Sequence, residues 1–190
     1  KNKLIMLLLV FVPVFMYGQR HVFQHNFEFQ AGYAAQGQVE GSAIDLRYAL
    51  GITDQIDALV SIGNMHGTDH NRSNYTTVRN LVHNTFSSTS ACIGLRGSIH
   101  FLKIGALKLS ALCGYSYKTE SLVCEVPEKP IHLGKFGFCY GGTGELNFKI
   151  TPLVSMGRYY NQMRITGPHA ANVFSTGLTM SFVIGSPRRL

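Results

Sequence analysis

Residues 107–118 read Leu-Lys-Leu-Ser-Ala-Leu-Cys-Gly-Tyr-Ser-Tyr-Lys, an alternation of side chains with a period of two. The odd positions are all apolar or aromatic, whereas the even positions include Lys108, Ser110, Ser116 and Lys118. Successive side chains of a β-strand point to opposite faces, so this segment predicts a strand with one apolar and one polar face. The same alternation recurs along the chain, which predicts an all-β fold.

The alternation defines eight candidate strands, near residues 22–34, 39–50, 55–64, 89–102, 107–118, 134–149, 152–164 and 173–184. Three of the links between them are short, at 51–54, 103–106 and 150–151. Two others are long, at 65–88 and 119–133. Short turns on one rim and longer loops on the other are typical of bacterial outer-membrane barrels.

The first 18 residues are predicted to be a signal peptide. Two lysines precede an apolar stretch over residues 4–15, and cleavage is expected before Gln19. That stretch is shorter than the ~17–25 residues that a membrane-spanning helix needs, which favours cleavage over an anchor. Residues 19–190 then form a single barrel domain.

Charged residues make up 14% of the chain, which is low for an ordinary soluble surface. The net charge is +7, but the bases are scattered and form no run of four or more, so no nucleic-acid partner is predicted. Strand lengths near the ~9–11 residues of a tilted membrane strand favour a barrel with its apolar face toward lipid. Aromatic residues near both strand ends, such as Phe148 at one rim and Tyr117 and Tyr159 at the other, favour the same arrangement.

The polar face would then line the lumen and carry most of the charge. An eight-stranded barrel is only wide enough for side chains to fill its interior, and buried charges have to be paired. We therefore expect a network of ion pairs that closes the lumen. Its predicted members are Glu28, Asp45, Arg47, Asp57, Arg96, His100, Lys108, Glu145, Lys149 and Arg158.

The seventh strand is the least regular, because Tyr159 and Tyr160 are adjacent. It fits the pattern if Arg158, Gln162 and Arg164 point into the lumen.

Two local phrases resemble those of known barrels. Residues 48–54, Tyr-Ala-Leu-Gly-Ile-Thr-Asp, resemble a strand–turn phrase common in small bacterial barrels. Ser175, Gly177, Met180 and Phe182 match the signal by which barrel assembly machinery recognises a final strand. With the strand pattern over residues 20–185, the chain resembles the eight-stranded outer-membrane β-barrel family, the OmpA/OmpX-like group.

The resemblance implies an antiparallel up-and-down transmembrane β-barrel, porin-like in architecture, with short periplasmic turns and longer extracellular loops. It implies the outer membrane of a Gram-negative bacterium, with outer-membrane lipid and the assembly machinery as partners. The Tyr-Gly-Gln junction at residues 17–19 resembles signal ends of Bacteroidota-type bacteria.

The lumen offers one candidate set for hydrolysis. Ser98 and His100 share a face, near Glu145 or Asp57, as a Ser-His-acid arrangement would require. This set lies near the short-turn rim, far from the outer leaflet in which a lipid substrate would be found. We therefore predict that the protein is not an enzyme.

No cofactor or metal site is predicted either. The loop residues His66, Asp69, His70 and Ser73 fit no hydrolase or zinc spacing. Four cysteines are present, but parity sends Cys113 to the lipid face and Cys92 and Cys139 to the lumen on strands that are not neighbours. Cys124 lies in a predicted loop. We expect free thiols, because paired Cβ atoms would have to face each other.

The leading hypothesis is a monomeric, non-enzymatic outer-membrane barrel with a structural or surface-interaction role, in which loops 65–88 and 119–133 contact an unknown extracellular partner. The alternatives are a small-solute channel, a lipid-modifying barrel enzyme and a soluble lipocalin-like barrel with an apolar ligand. The lipocalin alternative requires an apolar interior and a charged exterior, and its Gly-x-Trp signature is impossible in a chain without Trp.

Overall fold

The computed structural model describes residues 24–37, 39–53, 55–68, 81–101, 104–124, 131–167 and 170–184. The predicted signal peptide, residues 1–18, lies outside the described residues. Within them the chain forms eight strands, which confirms the predicted all-β fold. The strands are β1 (His25–Gln36), β2 (Val39–Gly51), β3 (Ile56–Thr68), β4 (Leu81–Phe101), β5 (Gly105–Cys124), β6 (Ile131–Lys149), β7 (Val154–Ile165) and β8 (Ala171–Ile184).

Each strand pairs antiparallel with its neighbours in sequence, and β8 pairs with β1 to close the barrel. The closing register places Phe27 beside Phe182 and Gly32 beside Gly177. Closure satisfies the backbone groups of both end strands, so the sheet has no free edge at this seam. No helix long and apolar enough to cross a membrane occurs among the described residues.

The outer face of the barrel is predominantly apolar. In β5 the odd residues of the segment 107–118 point outward and are exposed, whereas Ser110, Ser116 and Lys118 are buried inside. Aromatic pairs lie near both ends of this face, with Phe101 against Phe148 at the short-turn rim. At the opposite rim Tyr117 packs against Phe136 with a centroid separation of 4.7 Å. The predicted alternation is therefore confirmed on this strand.

Strand β7 faces the opposite way to the prediction. Tyr159 is 3% exposed and Tyr160 is 52% exposed, so Tyr159 points inward. Arg158, Gln162 and Arg164 accordingly point outward, and the assignment of Arg158 to the lumen was wrong. The register settles the facing, because Tyr159 pairs with the inward Glu145 and Arg158 pairs with the outward Leu178.

Three strands are longer than predicted. β4, β5 and β6 contain 21, 20 and 19 residues and stay paired through Leu81↔Cys124 and Leu122↔Ile131. The boundaries expected for the two long loops, 65–88 and 119–133, were therefore wrong. Strand residues occupy both ends of each range, and residues 69–80 and 125–130 lie outside the described part of the chain. These strands continue beyond the predicted ends because their backbone groups remain paired with the neighbouring strand. The polar Ser and Thr side chains there are compatible with strand structure.

The three long strands rise above the other five at the rim opposite the short turns. At about 3.3 Å per residue and a tilt of about 40°, the 20 residues of β5 span about 50 Å along the barrel axis. That length is roughly twice the ~25 Å apolar band of outer-membrane barrels. We call the part formed by residues 81–87, 117–124 and 131–137 the β4–β6 extension.

Candidate functional site

Two groups of charged side chains fill the interior of the barrel, and hydrogen bonds connect the members of each group. The first is centred on Glu28 of β1, whose Oε1 accepts hydrogen bonds from Arg96 Nη1 at 2.5 Å and Lys108 Nζ at 2.6 Å. The same oxygen accepts a bond from Ser181 Oγ at 3.1 Å. Arg96 Nε also donates to Asp57 Oδ2 at 2.7 Å. One carboxylate and one guanidinium thereby join strands β1, β3, β4, β5 and β8.

The second group is centred on Glu145 of β6. Its Oε1 accepts hydrogen bonds from Arg47 Nη1 at 3.0 Å and Gln30 Nε2 at 2.9 Å. Arg47 Nε donates to Asp45 Oδ2 at 2.8 Å, and Arg47 Nη2 donates to Thr143 Oγ1 at 3.0 Å. This group ties β1 and β2 to β6 across the barrel, because Arg47 and Glu145 are on strands that do not pair.

Burial makes these contacts energetically important. Glu28, Arg47, Arg96 and Glu145 are each at most 2% exposed. An isolated buried charge costs several kcal/mol, and removal of one partner leaves the other uncompensated. The geometry is therefore a mutually dependent network that occupies the cross-section of the lumen.

The structure places the ten predicted lumen residues as follows. The seven in the ion pairs are Glu28, Asp45, Arg47, Asp57, Arg96, Lys108 and Glu145. His100 and Lys149 line a cavity of about 520 Å³ that opens at the short-turn rim. Arg158 is outside the barrel, as described above. The candidate hydrolase residue Ser98 lies in the wall of the same cavity.

One buried charge was missed. Lys118 is 6% exposed and forms an ion pair with Glu120 at the end of the lumen opposite the cavity. Parity places Lys118 on the same face as Lys108, so its inward position was available from the sequence. Its partner was not, because residue 120 falls in a predicted loop.

The final strand carries the four residues of the predicted assembly signal. Ser175 and Gly177 point inward, and Met180 and Phe182 point outward. All four lie on β8, the strand that closes the barrel against β1. Residues 185–190 lie outside the described part of the chain.

Three described cysteines are free thiols: Cys92, Cys113 and Cys139. Cys113 is exposed on the outer face as expected, and the side chain of Cys124 lies outside the described set. Cys92 and Cys139 are buried in the lumen with their sulfurs 3.5 Å apart, although their strands do not pair. Among the described residues, no group of three or more His, Cys, Asp or Glu side chains is arranged to hold a metal ion.

No family model and no curated protein matches the sequence. Several solved structures match its fold. Ail, the attachment invasion locus protein of Yersinia pestis, aligns with a TM-score of 0.59 at 12% identity, over 86% of this chain and 99% of Ail.

Two further structures are comparably similar. Neisserial surface protein A aligns with a TM-score of 0.57 at 10% identity, over 84% of this chain and 96% of that protein. A major outer membrane protein of Thermus thermophilus aligns with a TM-score of 0.56 at 9% identity, over 84% of this chain and 99% of that protein. At these identities the likeness is one of fold. The chain has the eight-stranded β-barrel fold of small outer-membrane proteins, as its resemblance to the OmpA/OmpX-like group predicted.

Proposed function

We propose that this protein is a non-enzymatic, monomeric barrel of the bacterial outer membrane that presents the β4–β6 extension outside the cell. It would be exported by a cleaved signal peptide over residues 1–18, leaving 19–190 as the barrel domain. The observation that carries the proposal is the inverted distribution of polarity. On β4, Leu95 is 58% exposed outside, whereas its neighbour Arg96 is 1% exposed inside.

Outer-membrane lipid is the environment that suits this distribution. The exposed outer face carries large apolar side chains on every strand, which water would penalise and hydrocarbon accommodates. A soluble lipocalin-like barrel would need the reverse, with an apolar interior for its ligand. The paired charges of the lumen instead support a closed barrel, which argues against a small-solute channel.

The β4–β6 extension is the candidate contact surface for the unidentified extracellular partner. Register pairing of β6 with β7 ends at Cys139↔Ile165, so residues 131–137 of β6 pair in register with β5 alone among the described strands. A sheet edge of this kind can accept a strand from another protein. Ail has been solved in complex with the heparin analogue sucrose octasulfate, which supports ligand binding as a role for a barrel of this fold.

Membrane fractionation tests the location. The protein would be expressed with its native signal segment in a Gram-negative host, and unboiled and boiled samples compared on a gel. We expect recovery in the outer membrane and a heat-dependent mobility shift, since a closed barrel resists detergent and unfolds on boiling. A soluble periplasmic product without a shift would refute the proposal and revive the lipocalin-like alternative.

Labelling of intact cells tests the orientation. Lys135→Cys places a thiol on the β4–β6 extension, and Pro152→Cys places one in a short turn. In a background with the native cysteines replaced by Ser, a membrane-impermeant maleimide is expected to label only Lys135→Cys until the cells are broken. Labelling of Pro152→Cys alone would reverse the proposed orientation.

The enzyme alternative has its own test. A lipid-modifying activity that depends on Ser98 and His100 would disappear in His100→Ala, as measured by turnover of outer-membrane lipid in cells expressing each form. We expect the lipid profiles of the two forms and of cells without the protein to be identical.

A further inference from the structure

Two buried thiols meet inside the barrel because a glycine lies between them. Cys92 of β4 and Cys139 of β6 both pair in register with Gly114 of β5. All three positions face the lumen, and Gly114 has no side chain to separate the two cysteines. The Sγ atoms are 3.5 Å apart, and the side chains are 4% and 0% exposed.

Two methionine side chains lie beside Cys139. A small cavity of about 10 Å³ borders Cys139 and has Met65 and Met163 in its wall. The sulfur of Met163 lies over Gly141, where an added Cβ would be 2.7 Å from it. Gly141 is two residues from Cys139 on the same face of β6. Cysteine or methionine side chains from β3, β4, β6 and β7 therefore meet in one part of the lumen.

A disulfide does not fit this arrangement well. Neighbouring strands are about 4.8 Å apart, so two strands separated by a third lie about 9–10 Å apart along the sheet. Disulfides usually join Cα atoms within about 7 Å, and a longer span requires backbone movement. A metal ion between two sulfurs lengthens the bridge and removes that requirement. Thiolates that share a metal through bonds of ~2.3 Å, the zinc–sulfur length, lie about 3.8–4.0 Å apart at tetrahedral to trigonal angles, so binding would require these two sulfurs to move apart by a few tenths of an ångström.

The geometry points to a soft-metal site in the lumen, in which Cys92 and Cys139 bind Cu(I) and Met163 adds a thioether. Thiolate and thioether ligands select Cu(I) over harder ions. Zinc would prefer further Cys or His ligands, and the described residues provide no third such group. On binding, each thiol loses its S–H proton to solvent and its sulfur donates an electron pair to Cu(I), so no oxidation or reduction is involved.

Titration with Cu(I) tests this site. The full-length barrel carrying Cys113→Ser and Cys124→Ser, which leaves only the lumen pair, would be folded in detergent and titrated anaerobically against the coloured chelator bicinchoninate. We expect one Cu(I) per chain and a metal environment of sulfur alone by X-ray absorption. Adding Cys92→Ser or Cys139→Ser is expected to abolish binding.

Methionine variants separate ligation from packing. Met163→Leu is expected to raise the Kd for Cu(I) about tenfold. Mutation of residues that support a metal site typically lowers the affinity for the metal by at least this factor. Met156→Leu is the matched control, because Met156 lies on the outer face of the same strand, and it is expected to leave the Kd unchanged. The heat-dependent gel shift would verify that every variant is folded.

Failure of the folded parent protein to bind Cu(I) would overturn the inference, and so would either of two further results. One is Cu(I) binding that survives in the folded Cys92→Ser variant, which would place the metal elsewhere. The other is an intact mass two hydrogens lighter than the reduced chain after purification without reductant, which would show that the pair forms a disulfide.

Discussion

Arg96 on β4 and Glu28 on β1 are joined by a hydrogen bond of 2.5 Å between Nη1 and Oε1 in the interior of the barrel. Their strands do not pair with each other, so the bond crosses the lumen. Arg96 extends the connection to Asp57, and Lys108 approaches Glu28 from β5. Ion pairs thus join strands on opposite sides of the barrel, whereas a soluble barrel is stabilised by apolar packing in its interior.

Removal of the shared carboxylate should destabilise the barrel strongly. Glu28→Gln leaves Arg96 and Lys108 buried without their common partner, for an expected loss of about 3–5 kcal/mol. The midpoint of urea unfolding in lipid vesicles measures this loss. Glu40→Gln is the control, because Glu40 is exposed at the start of β2, and it is expected to change the free energy of unfolding by less than about 0.5 kcal/mol. Equal midpoints for the two variants would show that the network is not stabilising.

The same network is expected to keep the lumen closed. The wild-type protein should show no steady current in planar bilayers, because charged and polar side chains fill the cross-section. The double variant Arg47→Ala/Glu145→Ala removes the pair that spans the barrel from β2 to β6 and should increase conductance. Arg164→Ala, which truncates an outward-facing arginine, is the control and should remain silent. A steady current through the wild-type protein, equal to that of the double variant, would favour the channel alternative.

The cost of placing an arginine on the outward apolar face should depend on how deep in the membrane the position lies. Leu109 lies within the apolar band of β5, whereas Tyr117 lies toward the rim of the β4–β6 extension. Leu109→Arg is expected to cost about 2–4 kcal/mol, and Tyr117→Arg about 0–1 kcal/mol from charge burial. Unfolding in vesicles of constant composition would measure both. A larger loss for Tyr117→Arg would contradict the proposed placement of the membrane.

Alternation in the sequence was sufficient to predict the strands and the facing of β5, because both depend on local side-chain period. The barrel was predicted from the lengths of the turns and loops and from the family resemblance as well. The bond between Glu28 and Arg96 was beyond that reasoning, since it joins residues 68 positions apart and depends on closure. The ends of β4, β5 and β6 were missed because polar residues in an extended strand look like a loop. The meeting of Cys92 and Cys139 required the position of Gly114, which only the register provides.

The facing of β7 was also predicted wrongly from the sequence, and its two adjacent tyrosines allow the observed facing to be tested. Tyr159 pairs with Glu145 inside the barrel, and Tyr160 faces outward. Tyr159→Ala is expected to cost about 3–5 kcal/mol, as large aromatic truncations in packed interiors do. Tyr160→Ala should cost distinctly less, because lipid can fill the space that the ring leaves. The order of the two free energies of unfolding decides the facing, and the reverse order would restore the lumen assignment of Arg158.

A glycine comparison tests the close packing of β4 against β5. A Cβ at Gly114 would overlap the carbonyl oxygen of Ala91 and lie 2.7 Å from Cys92 Cα, and both are backbone atoms that cannot move independently. Gly114→Ala should therefore force the strands apart, at an expected cost of about 1–3 kcal/mol. Gly97→Ala on β4 is the matched control, because a Cβ there has nothing within 4 Å. It should be neutral or stabilising by up to about 1 kcal/mol, since it only reduces the freedom of the unfolded chain.

Urea unfolding of both glycine variants measures the difference in their free energies of unfolding. If Gly114→Ala were as stable as Gly97→Ala, the two strands would have to lie farther apart than this register requires, and the thiols of Cys92 and Cys139 would no longer be held together.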